Sequence, residues 1–193
     1  MKRTILAVCL LASSSFLFAQ ISFGIKAGIN ISNFTGGNFE DVEKKSIIGF
    51  HGGGFLNFGL GDHFSLQPEL LVSTQGARID SVNGEHDWKL TYITVPIMAK
   101  YKFSGSFFVE AGPQFGFKIS EDIDDQTIEE FGEELDVSIG VGLGLHTKSG
   151  FGIGVRYLAG VSKVGKFESS NIDPDFKNSV LQIGLFFTLG GKK

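Results

Sequence analysis

Eight stretches of this chain alternate apolar residues with polar ones or glycine so regularly that each must run as a β-strand with one continuous apolar face. In the first, Ile21, Phe23, Ile25, Ala27, Ile29 and Ile31 lie opposite Ser22, Gly24, Lys26, Gly28, Asn30 and Ser32. In the sixth, Leu135, Val137, Ile139, Val141, Leu143 and Leu145 oppose Asp136, Ser138, Gly140, Gly142, Gly144 and His146. The seventh sets Phe151, Ile153, Val155, Tyr157 and Ala159 against Gly152, Gly154, Arg156, Leu158 and Gly160. The eighth sets Leu181, Ile183, Leu185, Phe187 and Leu189 against Gln182, Gly184, Phe186 and Thr188. Runs at about 47–59, 64–77, 89–103 and 107–119 follow the rule less strictly. Pro68, Pro96 and Pro113 interrupt three of these, and because proline cannot donate to a ladder they mark expected bulges.

The connections alternate too. Tight turns are expected at Gly61-Asp62, Ser104-Gly105 and Lys148-Ser149-Gly150, and long polar loops at 33–46, 80–88, 120–134 and 163–178. Those four loops hold 17 of the 21 acidic residues, and no carboxylate falls on an apolar face. Short turns at one rim and long loops at the other suit an up-and-down antiparallel barrel.

Alternation alone does not say which face looks inward, so a soluble lipocalin-like barrel has to be weighed against a membrane barrel. An eight-stranded barrel holds few side chains inside, and five or six large residues per strand would overfill it. Glycine on the narrow inner face would let the opposite wall approach. Phe23, Phe58, Phe64, Tyr101, Phe103, Phe107, Phe151 and Phe187 gather on the apolar face at the short-turn rim, as an interfacial aromatic girdle would. The expected fold is therefore all-β, an eight-stranded antiparallel up-and-down transmembrane β-barrel with lipid as its surroundings. No apolar run after residue 20 is long enough for a spanning helix.

The chain opens with Lys2 and Arg3, an apolar run at 5–18, then Ala19 and Gln20, the pattern of a secretory signal peptide. Residues 1–19 are expected to be removed after Ala19, leaving 20–193 as one barrel domain in the outer membrane of a Gram-negative cell. Leu17 is larger than the residue usual three before a cut. Cys9, the single cysteine, falls in the removed segment, which excludes disulfides and thiolate chemistry from the rest.

Gly24-Ile-Lys-Ala-Gly28-Ile-Asn30, Tyr92-Ile-Thr-Val-Pro96-Ile-Met-Ala-Lys100-Tyr101 and Glu110-Ala-Gly112-Pro113 resemble segments of the outer membrane β-barrel domain of Bacteroidetes, often labelled PorT-like or porin family. The resemblance covers essentially all of 20–193. It implies an outer-membrane location and a barrel fold and leaves the role open.

Lys26, Glu69, Lys100, Glu110 and Arg156 are all expected on the inner face about four to six residues from the short-turn rim. They read first as a paired ion network filling the lumen, because an unpaired buried charge is costly, and alternatively as a filter or proton path. Segment 121–134 carries eight carboxylates without Lys or Arg, but Asp122, Asp124 and Asp125 lack the spacing of a calcium loop. Gly140, Gly142 and Gly144 alternate along a strand with no helix after them, unlike a nucleotide-binding loop. The four histidines, His51, His63, His86 and His146, show no metal-ligand spacing. Asp80, Ser81, His86 and Asp87 are the sole cluster of hydrolase-type residues within one loop. Polar residues are ordinary in loops, so no catalytic, cofactor or metal site is expected and the protein is not expected to be an enzyme. With Lys2 and Arg3 gone, 15 basic residues face 21 acidic ones, which opposes nucleic-acid binding. Two functional readings remain. One is a plugged barrel that contributes structure or binds a surface or periplasmic protein, and the other is a narrow channel for small solutes.

Overall fold

The computed structural model describes residues 21–36, 43–81, 84–103, 105–123, 132–165 and 175–190. Eight strands close into one antiparallel barrel in sequence order, with β1 hydrogen-bonded to both β2 and β8. They are β1 (Ile21–Gly36), β2 (Glu43–Gly59), β3 (Phe64–Ser81), β4 (Gly84–Lys102), β5 (Phe107–Ile123), β6 (Leu135–His146), β7 (Phe151–Gly160) and β8 (Phe176–Leu189). Closure leaves no free sheet edge, so the wall satisfies its own backbone groups, as a structure surrounded by hydrocarbon must.

The apolar faces point outward. Ile25, Ile29, Phe50, Leu70, Ile139, Val141, Leu143 and Leu185 are all exposed, whereas Asn30, Ser73, Gln114, Arg156 and Gln182 are buried inside. A soluble barrel would have this order reversed. At the short-turn rim the outward rings meet in series, with Phe64 to Tyr101 at 4.8 Å, Tyr101 to Phe103 at 4.9 Å and Phe103 to Phe107 at 5.3 Å between centroids. The three tight turns place Gly61, Gly105 and Gly150 at positive φ, where a side chain would be strained.

Two expectations need correction. The bulges are not at the prolines: β3–β4 pairing runs from Pro68↔Ile97 to Leu71↔Thr94, and β4–β5 from Pro96↔Gln114 to Ala99↔Ala111, without a change of register. Pro113 lies opposite Ile139 in an uninterrupted ladder. A proline removes one donor but does not add a residue, so the register survives. The actual shifts lie between Ser46 and His51, where β2 carries an extra residue relative to β3, and at Thr91/Tyr92, where β5 carries one relative to β4. Gly76 sits across from the first shift with φ 147°, and a Cβ there would stand 1.9 Å from the Trp88 carbonyl oxygen. Only glycine fits that approach.

The strands also outrun the expected spans at the far rim. The segment 80–88, expected as a loop, is the end of a hairpin in which β3 and β4 stay paired as far as Ser81↔Gly84. β1, β2, β5 and β8 likewise continue into the expected loops, to Gly36, from Glu43, to Ile123 and from Phe176. β6 and β7 do not, and there Val164 and Gly165 turn inward instead. Val161 N donates to Val137 O at 2.8 Å, and Val164 N donates to Phe176 O at 2.9 Å.

Candidate functional site

The lumen is organised in four levels, each built from every second residue of the strands around it. At the short-turn end is a vestibule of about 790 Å³ open to that side. Its floor is three phenylalanines, Phe55, Phe108 and Phe186, packed edge to face at 6.1 and 5.9 Å. Each ring lies across the barrel wall from a glycine paired with it in register: Gly24↔Phe55, Phe108↔Gly144 and Gly152↔Phe186. A Cβ on those glycines would come within 2.3, 2.6 and 2.1 Å of the respective ring carbons. Inner-face glycine therefore makes room for a neighbour's large side chain, a tighter requirement than letting the far wall approach.

Above the floor lies the charge layer. It brings together Lys26 of β1, Glu69 of β3, Lys100 of β4, Glu110 of β5 and Arg156 of β7. Arg156 is 2 % exposed and sits at the centre. Its Nη1 and Nη2 donate to Glu69 Oε2 and Oε1 at 2.9 and 2.7 Å, a two-pronged pair, while its Nε donates to Glu110 Oε1 at 2.7 Å. Guanidinium geometry suits such a fork. Lys100 Nζ reaches Glu110 Oε2 at 3.2 Å and Gln67 Oε1 at 3.2 Å, and Lys26 Nζ reaches Glu69 Oε2 at 3.4 Å. Gln67 Nε2 donates to Glu69 Oε1 at 2.8 Å. Lys100 also stands 4.1 Å from the centre of the Phe108 ring, within cation–π range. The layer thus holds three cations and two carboxylates. The cavity it borders, shared with His51 and Gln182, measures about 10 Å³, room for roughly one water.

The third level is neutral and polar. Asn30 is its hub: Nδ2 donates to Phe50 O at 3.0 Å, Ser73 Oγ at 3.0 Å and Thr74 O at 2.8 Å. Asn30 Oδ1 accepts Gln182 Nε2 at 3.2 Å and faces His51 Nδ1 at 2.8 Å, which places the His51 proton on that nitrogen. His51 in turn lies opposite Gly28, where a Cβ would meet its ring at 2.7 Å. The segment Gly24-Ile-Lys-Ala-Gly28-Ile-Asn30 is therefore a lumen recipe, since its alternate residues seat Phe55, charge the middle, seat His51 and join the polar hub.

The fourth level was not foreseen from the sequence. Phe34, Ala77, Ile79, Trp88, Leu90, Tyr92, Val164 and Phe176 form a buried apolar cluster inside the far end of the barrel. The Phe34 and Phe176 rings meet at 4.7 Å between centroids, tilted by 45°. Half of these residues, Phe34, Trp88, Val164 and Phe176, lie in segments expected to be polar loops. A signal was present nonetheless: along β1, β4 and β8 the inner face changes from polar to apolar at Phe34, at Tyr92, Leu90 and Trp88, and at Val180 and Phe176.

Of the hydrolase-type cluster, the side chains of Asp80 and Ser81 lie outside the described residues. His86 lies across from Ile79 on the β3–β4 hairpin, and Asp87 is held by Arg78 Nε at 2.5 Å and Lys89 Nζ at 3.1 Å. Most of the acidic segment, residues 124–131, lies outside the described residues, as do residues 1–20 with the expected cleavage site. His146 faces the vestibule, with Nε2 at 3.2 Å from Thr188 Oγ1. Among the described residues, no three His, Cys, Asp or Glu side chains are grouped as a metal site would require.

Comparison with known proteins fits this geometry. A family model described as outer membrane protein beta-barrel domain matches residues 15–165. Neisserial surface protein A (NspA) superposes with a TM-score of 0.51 at 14 % identity, over 86 % of this chain and 97 % of its own. OprG from Pseudomonas aeruginosa superposes with a TM-score of 0.51 at 12 % identity, over 88 % of this chain and 97 % of its own. At such identities the likeness is one of fold. No curated protein sequence matches significantly.

Proposed function

Because the chain belongs to the outer membrane protein beta-barrel domain family, we propose that it is a closed, non-enzymatic outer-membrane barrel that acts through its two ends and its lipid-facing wall, not by passing solutes. The observation that carries this reading is the Arg156 fork across the lumen, which joins β7 to β3 and β5 at 2.7–2.9 Å. Two further levels, the Asn30 hub and the apolar cluster, lie in line with it. To conduct, a solute would have to break several charge-assisted bonds and displace buried rings, and water-filled lumens belong mostly to barrels of about 16 strands or more. The protein therefore provides a membrane-anchored platform, with lipid around its belt and a surface or periplasmic protein as its partner.

The residues that resemble the PorT-like barrels of Bacteroidetes support membership of that subgroup, since in β1 they are the ones that build the lumen. Residues 1–19 are read as a signal peptide cut after Ala19, so intact-mass measurement of protein purified from outer membranes is expected to find Gln20 first. A start elsewhere would refute the cut.

The closed-lumen reading is tested by single-channel recording of refolded protein in a planar bilayer, after a heat-dependent gel shift has shown insertion. An electrically silent inserted barrel is expected. Reproducible conductance steps would overturn the reading and make the five charged residues of the lumen a filter.

A further inference from the structure

The vestibule at the short-turn end has the build of a ligand site. Its volume of about 790 Å³ falls in the range of small-molecule pockets, roughly 300–1,000 Å³, and barrel mouths are among the places such sites occur. The floor is apolar and rigid, with Phe55, Phe108 and Phe186 at 5 %, 5 % and 7 % exposure, each locked over its glycine. The rim is cationic. Among the described residues that line the mouth of the cavity, Lys102 and Lys148 face a single acid, Asp62.

The floor adds to this bias. The layer behind it holds three cations to two carboxylates, and Lys100, part of that layer, also lines the vestibule. A concave cationic site with low-dielectric walls concentrates field lines and draws in anions. Asn57, His146 and Thr188 on the walls supply further hydrogen-bonding groups.

We propose that this vestibule binds a small organic anion, with its carboxylate or phosphate against Lys102 and Lys148 and its apolar or planar body on the three-ring floor. In an outer-membrane barrel the short turns lie on the periplasmic side, so the ligand comes from the periplasm. A blind vestibule rests on the closed lumen proposed above. Conductance tests that premise and ligand titration tests this one, so the two can fail separately.

The probe is phenyl phosphate, titrated by calorimetry into the refolded protein in zwitterionic lipid nanodiscs, with inorganic phosphate and benzyl alcohol as its charged and apolar halves. Phenyl phosphate is expected to saturate one site per barrel and to bind at least about tenfold more tightly than either half, a difference of roughly 1.4 kcal/mol. Added salt should weaken it. The exposed-rim double variant Lys102→Ser/Lys148→Ser should lose most of the affinity while keeping its heat-dependent gel shift, and Lys45→Ser at the opposite rim should bind like the parent. Absence of saturable phenyl phosphate binding, equal binding of benzyl alcohol, or an unaffected double variant would each overturn the proposal.

Discussion

Arg156 is the side chain on which the lumen depends most. It touches both carboxylates of the charge layer, so its loss leaves Glu69 and Glu110 with only Lys26 and Lys100 as cationic partners. Breaking a buried pair by removing one member costs about 3–5 kcal/mol. Arg156→Met is therefore expected to lower the unfolding free energy obtained from urea titration by about 3–5 kcal/mol, and Lys100→Met by less because Glu110 keeps Arg156. An unfolding free energy equal to the parent's for Arg156→Met would show that the layer contributes no coupled stability. The inner-face position of all five charged residues was legible in the sequence, because alternation assigns a face without knowledge of the partner strand. The fork itself was not. It depends on the registers that bring β3, β5 and β7 to one height, and on Gly142, which stands opposite both Glu110 and Arg156 and leaves them space.

The β3–β4 hairpin shows where pattern reading stopped short. Beyond Thr91/Tyr92 the residues Arg78, His86 and Asp87 look like a solvated loop, yet the two strands remain paired and direct Ile79, Trp88 and Leu90 inward. Period 2 continues there with its apolar residues on the inner face, so the strand ends lack the apolar outer face that marks the other runs. The same holds in β8 around Phe176. This hairpin end stands above the lipid-facing apolar belt and has its own electrostatic clamp. The hydrogen bond from Arg78 holds the Asp87 carboxyl below the usual carboxylate range, with Lys89 assisting. A depressed carboxyl contributes stability above its unfolded pKa and loses it as pH falls through the folded one. Acidification below the ordinary carboxylate range is thus expected to loosen the hairpin end. Trp88, the only tryptophan, lies beside Asp87 and is 6 % exposed, so its fluorescence reports the change. Asp87→Asn should remove the acid dependence, and an unchanged acid response in that variant would refute the assignment.

The molecule as a whole has an apolar skin around a lumen whose middle is polar and charged, and that outward apolar face was the most legible property of the sequence. It follows from counting side-chain volume against the space inside eight strands, whereas the far rim was obscured because strand extension and loop have similar polar composition. The skin predicts its own sensitivity. Val141, mid-strand on β6 and 52 % exposed, should tolerate other apolar residues, but Val141→Arg should cost about 2–4 kcal/mol in a bilayer. Equal stability of parent and variant in lipid would contradict a lipid-facing position. Finally, the strands are unequal in length: β2 to β5 have 17, 18, 19 and 17 residues, against 12 in β6 and 10 in β7. With the tight turns level at the other end, the excess over β7 amounts to roughly 15–20 Å of height at the usual strand rise and tilt. Among the described residues the strand wall therefore stands higher along one half of the rim than along the other. A partner held by that taller wall would meet the barrel from one side, and its compass heading about the membrane normal would be fixed as well as its distance from the bilayer.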